Sequence, residues 1–420
     1  MAVVAPMETI DVALLKDEAG GLMAELGIST ITFYKGDFKT ASGELRTQID
    51  LVVAENPWIV GRLVRNKEGI VLRHPVHSDD LKEGINDLFN ELPQDSKVFN
   101  INPNTPYTKL CRDLYTCGDL IVPDGYTLMT SKKPVTLLSL IAISEDAFAL
   151  VFSMSHAIGD GRTYYEIFKM LQPRAAVRKL QWDRVHTFPE SMRNIYGRKE
   201  LEWADSTSTA LLFTFAMMCN GSAQCFAFHV DEEKVAVAKQ KAAAEGDVKY
   251  VSTNDILTST FFNVTKARIG MMGIDCRDRE LPDITRDLVG NYVTAVVLDA
   301  GVFGSPASLR KMYTPGEPYV TTKGPLPSFP NCCGGNGRFA MATNWSSFSK
   351  SLVIPEGCTL EVHLPLQHPD YCVYDLMIPF SPTPGKTAVL IWTVSADEDQ
   401  LKHAMPLGER VAPELFPNSN

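Results

Sequence analysis

The stretch Phe148-Ala-Leu-Val-Phe-Ser-Met-Ser-His156-Ala-Ile-Gly-Asp160-Gly161 places one imidazole just past an apolar run, with an acid and then a glycine close behind it. The run Phe148–Ser153 is apolar enough for a strand buried on both faces. Beyond the glycine, Tyr164, Ile167, Phe168 and Leu171 repeat at the spacing of an amphipathic helix. His156 therefore sits on a strand-to-helix connection, where binding and catalytic groups gather. Among eight histidines, this acid and glycine spacing arises by chance about 0.03 times at average composition, so the pattern calls for a cause. One cause is a catalytic base at His156. The other is architectural: Asp160 caps the next helix, Gly161 eases the turn, and His156 is a hydrogen-bonded strand-end residue.

Working outward, Leu137–Ile143, a Glu145-Asp146 turn and Phe148–Ser153 form a hairpin that leads into the histidine. Further upstream a strand is expected around Thr30–Tyr34 and a helix near Leu45–Glu55. Pro57 breaks that helix, and a strand follows through Leu63. Downstream, Gln172–Arg198 holds prolines and basic residues with little periodicity, as a connection between domains would. Then come a strand at Ala223–Val230, a helix at Asp231–Ala244, and a helix cap at Ser252-Thr253-Asn254-Asp255. Leu366–Trp392 carries four prolines and strands at Tyr371–Ile378 and Thr387–Thr393, and is expected to pack or cross between domains. A chain of 420 residues exceeds the size at which one core stops growing, so two domains are expected, 1–200 and 201–420.

Forty basic and fifty acidic residues, with no long like-charged blocks, give a net charge of −10. This argues against nucleic acid or an anionic membrane surface as partner. Nine cysteines lack paired Cys-x-x-Cys spacing, so neither a disulfide framework nor a zinc site is suggested. Residues 1–15 show no signal-peptide pattern and no stretch is long and apolar enough for a membrane span, so a cytoplasmic protein is expected. Sequons at Asn220, Asn263 and Asn344 would matter only in a secreted chain. Cys332-Cys333-Gly334-Gly335-Asn336-Gly337 lacks the ending of a phosphate loop and reads as a turn. His74 with His77, and His363 with His368, lie beside Pro75, Pro365 and Pro369 and are expected to be surface residues rather than metal ligands.

Taken in order, these groups resemble the chloramphenicol acetyltransferase-like superfamily, which includes the plant and fungal BAHD acyltransferases and peptide-synthetase condensation domains. Asn56-Pro57-Trp58 to Leu63 resembles an early family strand, and His156 to Gly161 matches the family's His-x-x-x-Asp-Gly. Ser252–Leu257 resembles the opening of the family's second half. Asp275-Cys276-Arg277-Asp278-Arg279 with Gly290-Asn291 resembles its Asp-x-Arg and Gly-Asn pair. The chain departs from the plant branch at Ala342-Thr343-Asn344-Trp345-Ser346, which keeps a tryptophan where that branch has Asp-Phe-Gly-Trp-Gly. It departs from condensation domains at Ser155, where they usually carry a second histidine.

The resemblance implies a mixed α/β fold, an α+β sandwich of two acetyltransferase-like domains with a channel between them. It also implies a free-standing, monomeric acyltransferase that uses acyl-CoA as co-substrate, with no tightly bound cofactor and no metal. The acceptor is a small molecule bearing a hydroxyl or an amine. On this basis His156 is the general base, a role worth about 10²–10⁴ in rate. Asp160 turns away to pair with Arg277 and is structural, as is Gly161. Trp345 and Ser346 are candidate oxyanion donors. Three other readings stay open: a condensation-type catalyst fed by a carrier protein, a binding module that has lost turnover, and metal-assisted hydrolysis through His156 and Asp160. The last lacks a third ligand at sensible spacing.

Overall fold

The computed structural model describes residues 8–102, 105–196, 201–203, 206, 207, 209, 211, 214, 222–246, 248–279, 281, 283–312, 319–324 and 338–416. Asn220 and the glycine-rich Cys332–Gly337 stretch lie outside the described residues. The chain forms two compact units. The first contains Met1–His186, Asp283–Tyr292 and Phe348–Leu366; the second contains Thr187–Pro282, Val293–Ser347 and Gln367–Asn420. The expected single cut at residue 200 is thus replaced by a first crossing at His186 and two later returns. The returns occur because two segments from late in the chain hydrogen-bond into the first unit. One adds a sheet edge and the other clamps the histidine loop.

In chain order the strands of the first unit begin with β1 (Thr9–Ala13), β2 (Ile28–Lys35), β3 (Arg62–Asn66), β4 (Gly69–Pro75), β5 (Phe89–Leu92), β6 (Thr136–Ser144) and β7 (Ala147–Met154). The second unit holds β8 (Gln224–Val230), β9 (Ile269–Asp275), β10 (Val293–Asp299) and β11 (Phe339–Ala342). Strand β12 (Thr359–Leu366) returns to the first unit, and β13 (Asp375–Phe380), β14 (Ala388–Thr393) and β15 (Leu407–Arg410) complete the second. Three sheets result among the described residues: β1-β4-β3, β12-β2-β7-β6-β5, and β10-β9-β11-β13-β14-β8-β15. The architecture is the expected mixture of helices and sheets.

The five-stranded sheet carries the histidine. The expected hairpin is present: β6 and β7 pair antiparallel, and β7 also pairs antiparallel with β2. A strand with partners on both sides and cover on both faces needs an unbroken apolar run, which is what Phe148–Met154 supplies. The helix Phe38–Glu55 begins earlier than the expected Leu45 because Asp37 caps it, its carboxylate accepting from Thr40 N–H. Its Gln48 side chain donates to the carbonyls of Met170 (2.7 Å) and Ala175 (3.1 Å), so this helix also fixes the end of the helix Gly161–Met170.

That second helix is held on β7 by aromatic packing. Phe152 meets Tyr164 at 4.7 Å and Phe168 at 5.9 Å between ring centroids. The Tyr164 hydroxyl donates to the Phe152 carbonyl at 2.9 Å and lies 2.7 Å from Thr30 Oγ1. A phenylalanine buried as Phe168 is contributes about 1.5–3 kcal/mol.

In the second unit the seven-stranded sheet is antiparallel except at β11, which runs parallel to both neighbours. The expected cap before the helix Thr253–Val264 is a reciprocal one: Ser252 Oγ accepts from Asp255 N–H (3.1 Å) and Ser252 N–H donates to Asp255 Oδ2 (2.7 Å). The expected strand from Tyr371 starts later, at Asp375, because Pro369–Tyr371 forms a 3₁₀ turn. No helix among the described residues is long and apolar enough to cross a membrane.

Candidate active site

Strand β7 ends at Met154, and the next six residues form a tight loop before the helix at Gly161. Ser155, Ala157, Ile158, Gly159 and Asp160 are buried, while His156 alone is partly exposed. The loop thus delivers one imidazole toward solvent and packs the rest of itself away. His156 Nδ1 is buried and has no hydrogen-bond partner. The carboxylate-on-imidazole arrangement of a serine-protease triad is therefore absent at that nitrogen.

Asp160 is 3 % exposed, and each of its oxygens accepts from a backbone amide. Oδ1 takes Thr163 N–H at 2.9 Å, which makes Asp160 the N-cap of the helix, and Oδ2 takes Tyr292 N–H at 3.0 Å. Gly161 is the first residue of that helix. The expected helix cap at Asp160 is present, beside a partly exposed His156. A carboxylate held by amide donors in a buried setting is fixed in direction, which suits a scaffold role for Asp160.

The segment Asp283–Tyr292 closes against this loop. Asp160 N–H donates to the Gly290 carbonyl (3.3 Å), and Gly290 N–H donates to Thr163 Oγ1 (3.1 Å). Asn291 Nδ2 donates to the His156 carbonyl at 2.8 Å. Gly290 adopts φ +131°, and a Cβ there would lie 3.0 Å from the Arg184 guanidinium. Gly290→Ala should therefore cost about 1–3 kcal/mol of stability through backbone strain alone. Thermal denaturation checks this, and an unchanged midpoint would mean that the segment can re-form elsewhere.

Behind the loop lies a buried ion pair that local sequence patterning did not expose. Glu18 and Arg184 are 0 % and 2 % exposed in their side chains, with Glu18 Oε2 2.7 Å from Arg184 Nε. Their separation in the chain hides the pairing, since isolated charges read as solvated surface. Only Gly290-Asn291, singled out in the sequence, pointed toward this region.

The remaining sequence candidates lie in the second unit. Arg277 follows β9, is buried, and its Nη1 donates to Asp275 Oδ1 at 2.9 Å. Trp345 is buried, with its N–H donating to the Pro379 carbonyl (2.8 Å) and its indole Nε1–H to Thr343 Oγ1 (3.3 Å). Ser346 donates both its amide (2.9 Å) and its hydroxyl (2.7 Å) to Asn344 Oδ1. The Trp345 indole and the Ser346 amide and hydroxyl already have acceptors within their own turn.

Two of the histidines assigned to the surface belong to the core. His74 lies on β4 and is buried, and His363 lies on β12 at 0 % exposure. Their proline neighbours suggested loops, yet Pro75 and Pro365 sit within the strands. His363 Nδ1 is 2.7 Å from Thr32 Oγ1 and Nε2 is 3.0 Å from the Tyr165 hydroxyl. Burial without a carboxylate pushes its imidazole down to about 3. His77 is exposed and His368 partly so. Among the described residues no group of three or more His, Cys, Asp or Glu is placed to hold a metal ion.

No protein-family model matches the chain, and no curated protein matches it in sequence. Solved structures do. F. graminearum TRI101 complexed with ethyl coenzyme A superposes with a TM-score of 0.59 at 14 % identity, covering 94 % of this chain and 97 % of that one. The likeness spans nearly the whole of both chains and is one of fold. The first condensation domain of the calcium-dependent antibiotic synthetase, in complex with a substrate analogue, gives a TM-score of 0.55 at 12 % identity over 94 % of both chains. Polyketide synthase associated protein 5 from Mycobacterium tuberculosis gives 0.53 at 10 % identity over 94 % of this chain and 97 % of that one. The expected acetyltransferase-like fold is therefore present, at identities that speak to fold alone.

Proposed function

We propose that the protein transfers an acyl group from an acyl-CoA thioester to a hydroxyl or amine of a small-molecule acceptor, with His156 as general base. The observation that carries this reading is the single accessible imidazole at the head of an otherwise buried loop. The fold is shared with a structure that binds ethyl coenzyme A. His156 takes the acceptor's proton as its oxygen or nitrogen attacks the thioester carbonyl. The tetrahedral intermediate collapses, the C–S bond breaks, and the imidazolium returns the proton to the departing thiolate. No covalent enzyme intermediate is needed. Asp160, Gly161 and Arg277 are structural in this proposal, and the enzyme acts as a cytoplasmic monomer without a tightly bound cofactor.

Trp345 and Ser346 enter the proposal as oxyanion donors. Each would have to turn from its present acceptor toward the developing charge. Ser346→Ala should then lower kcat by about 10²-fold with little change in KM, the usual cost of one lost donor. A kcat within threefold of wild type would reduce Ser346 to a turn residue.

The test of the reaction is release of free thiol across a panel of acyl-CoA chain lengths and acceptor pools. A second reading, acyl supply by a carrier protein, draws on the likeness to condensation domains. Parallel panels of acyl-CoA and acyl-carrier donors separate the two, and activity with the carrier donors alone would overturn the first.

A further inference from the structure

We infer that Glu18, Arg184 and Asn291 form a positioning unit for the His156 imidazole, an inference that rests on the reading of His156 as the base. The Glu18 carboxylate gathers four donors. Oε2 accepts from Leu15 N–H (2.9 Å) and Arg184 Nε–H (2.7 Å), and Oε1 accepts from Asn291 N–H (2.9 Å) and Asn291 Nδ2–H (3.1 Å). Its two partners then each reach the histidine loop. Asn291 Nδ2 donates to the carbonyl of His156 itself at 2.8 Å, and Arg184 Nη2 donates to the carbonyl of Ile158 at 2.9 Å. Arg184 Nη1 donates to the Trp182 (2.8 Å) and Val289 (3.1 Å) carbonyls, which ties the same guanidinium to the clamping segment.

The unit does more than pack. A buried ion pair is a poor way to gain stability, since its desolvation cost commonly matches its attraction, and apolar replacements are often as good or better. Here the unit instead aims two donors, Arg184 Nη2–H and Asn291 Nδ2–H, at two backbone carbonyls in one short loop, a task no apolar pair performs. His156 Nδ1 has no hydrogen-bond partner, so no side chain fixes the imidazole at that nitrogen. Its orientation then rests on packing and on the backbone that carries it, and that backbone is held at the carbonyls of residues 156 and 158. A reacting group displaced by about 1 Å loses on the order of 10² in rate.

The test uses the full chain labelled at histidine, with Asn291→Ser and Arg184→Lys as variants. The second keeps the charge and loses the fork, so a folded variant remains if the first fails to fold. The imidazole cross-peak of His156 is assigned by its disappearance in His156→Ala. In either variant that peak should move while those of His363 and His77 hold. In thiol-release kinetics kcat should fall about 100-fold, with KM within threefold. The same substitution added to His156→Ala should change the residual rate by less than threefold, because it acts through a ring no longer present. An unmoved His156 peak with kcat near wild type, in a variant whose only change is a lower melting temperature, overturns the inference. Full thiol release by His156→Ala would overturn the base assignment instead, and the spectra would still report whether the unit orients the ring.

Discussion

In His156→Ala, thiol release falls by about 10²–10⁴-fold, the range a positioned acid–base group supplies. Folding should be intact, because the side chain is partly exposed and its Nδ1 anchors nothing. The loss belongs in kcat, with acyl-CoA still binding, since removing the base leaves the acceptor's proton in place while the donor site is untouched. Asp160→Asn should show the opposite pattern. Its carboxylate caps a helix and accepts from Tyr292 N–H, so the amide variant should lose melting temperature first and turnover second. Steady-state kinetics beside thermal denaturation distinguishes the two. Equal turnover in wild type and His156→Ala would remove the base from the scheme.

Acid should weaken the first unit through His363. In the folded chain its imidazole titrates at about 3, because burial penalises the cation and the nearest polar groups are the neutral hydroxyls of Thr32 and Tyr165. Unfolded, the same ring titrates near its reference value of about 6.5. Between these values the unfolded chain binds the extra proton, so stability rises with pH across that window. The contribution is complete above about 6.5 and disappears as the pH falls toward 3, amounting to about 5 kcal/mol in full. Denaturant melts of wild type and His363→Gln isolate it, since the amide keeps one donor and one acceptor but does not titrate. The difference between the two stabilities should shrink steadily as pH drops from 6.5 to 4. Parallel curves would mean that water or a rearranged hydroxyl pair accommodates the charge.

The parts of this molecule that the sequence revealed are those in which one short segment carries its own explanation. The apolar run before His156 could only be a central strand. The Tyr164, Ile167, Phe168 and Leu171 spacing could only be a helix laid on it, and Ser252 with Asp255 announced a cap. The residues that stayed hidden owe their roles to partners far away in the chain. Glu18 and Arg184 look like surface charges until the two are brought together, and Asn291 acquires meaning only when residues 283–292 return to the loop. His74 and His363 each stand beside a proline and so look like loop residues, yet both lie on strands. Pro365 is tolerated because β12 is an edge strand, while Pro75 is the last residue of the central strand β4. Trp345 and Ser346 were legible as a motif position, yet not as donors already engaged by Thr343 and Asn344.

The interleaving of the two units sets a timetable for synthesis. A ribosome that has just released the His156 loop must still make about 130 residues before Asn291 exists, and about 200 before β12 is complete. At ordinary elongation rates the second interval is roughly 10–40 s. Throughout it the nascent chain exposes an open sheet edge at β2 and a Glu18 carboxylate that still lacks the two Asn291 donors. Newly made chains should therefore depend on chaperones over that interval far more than refolding full-length protein does.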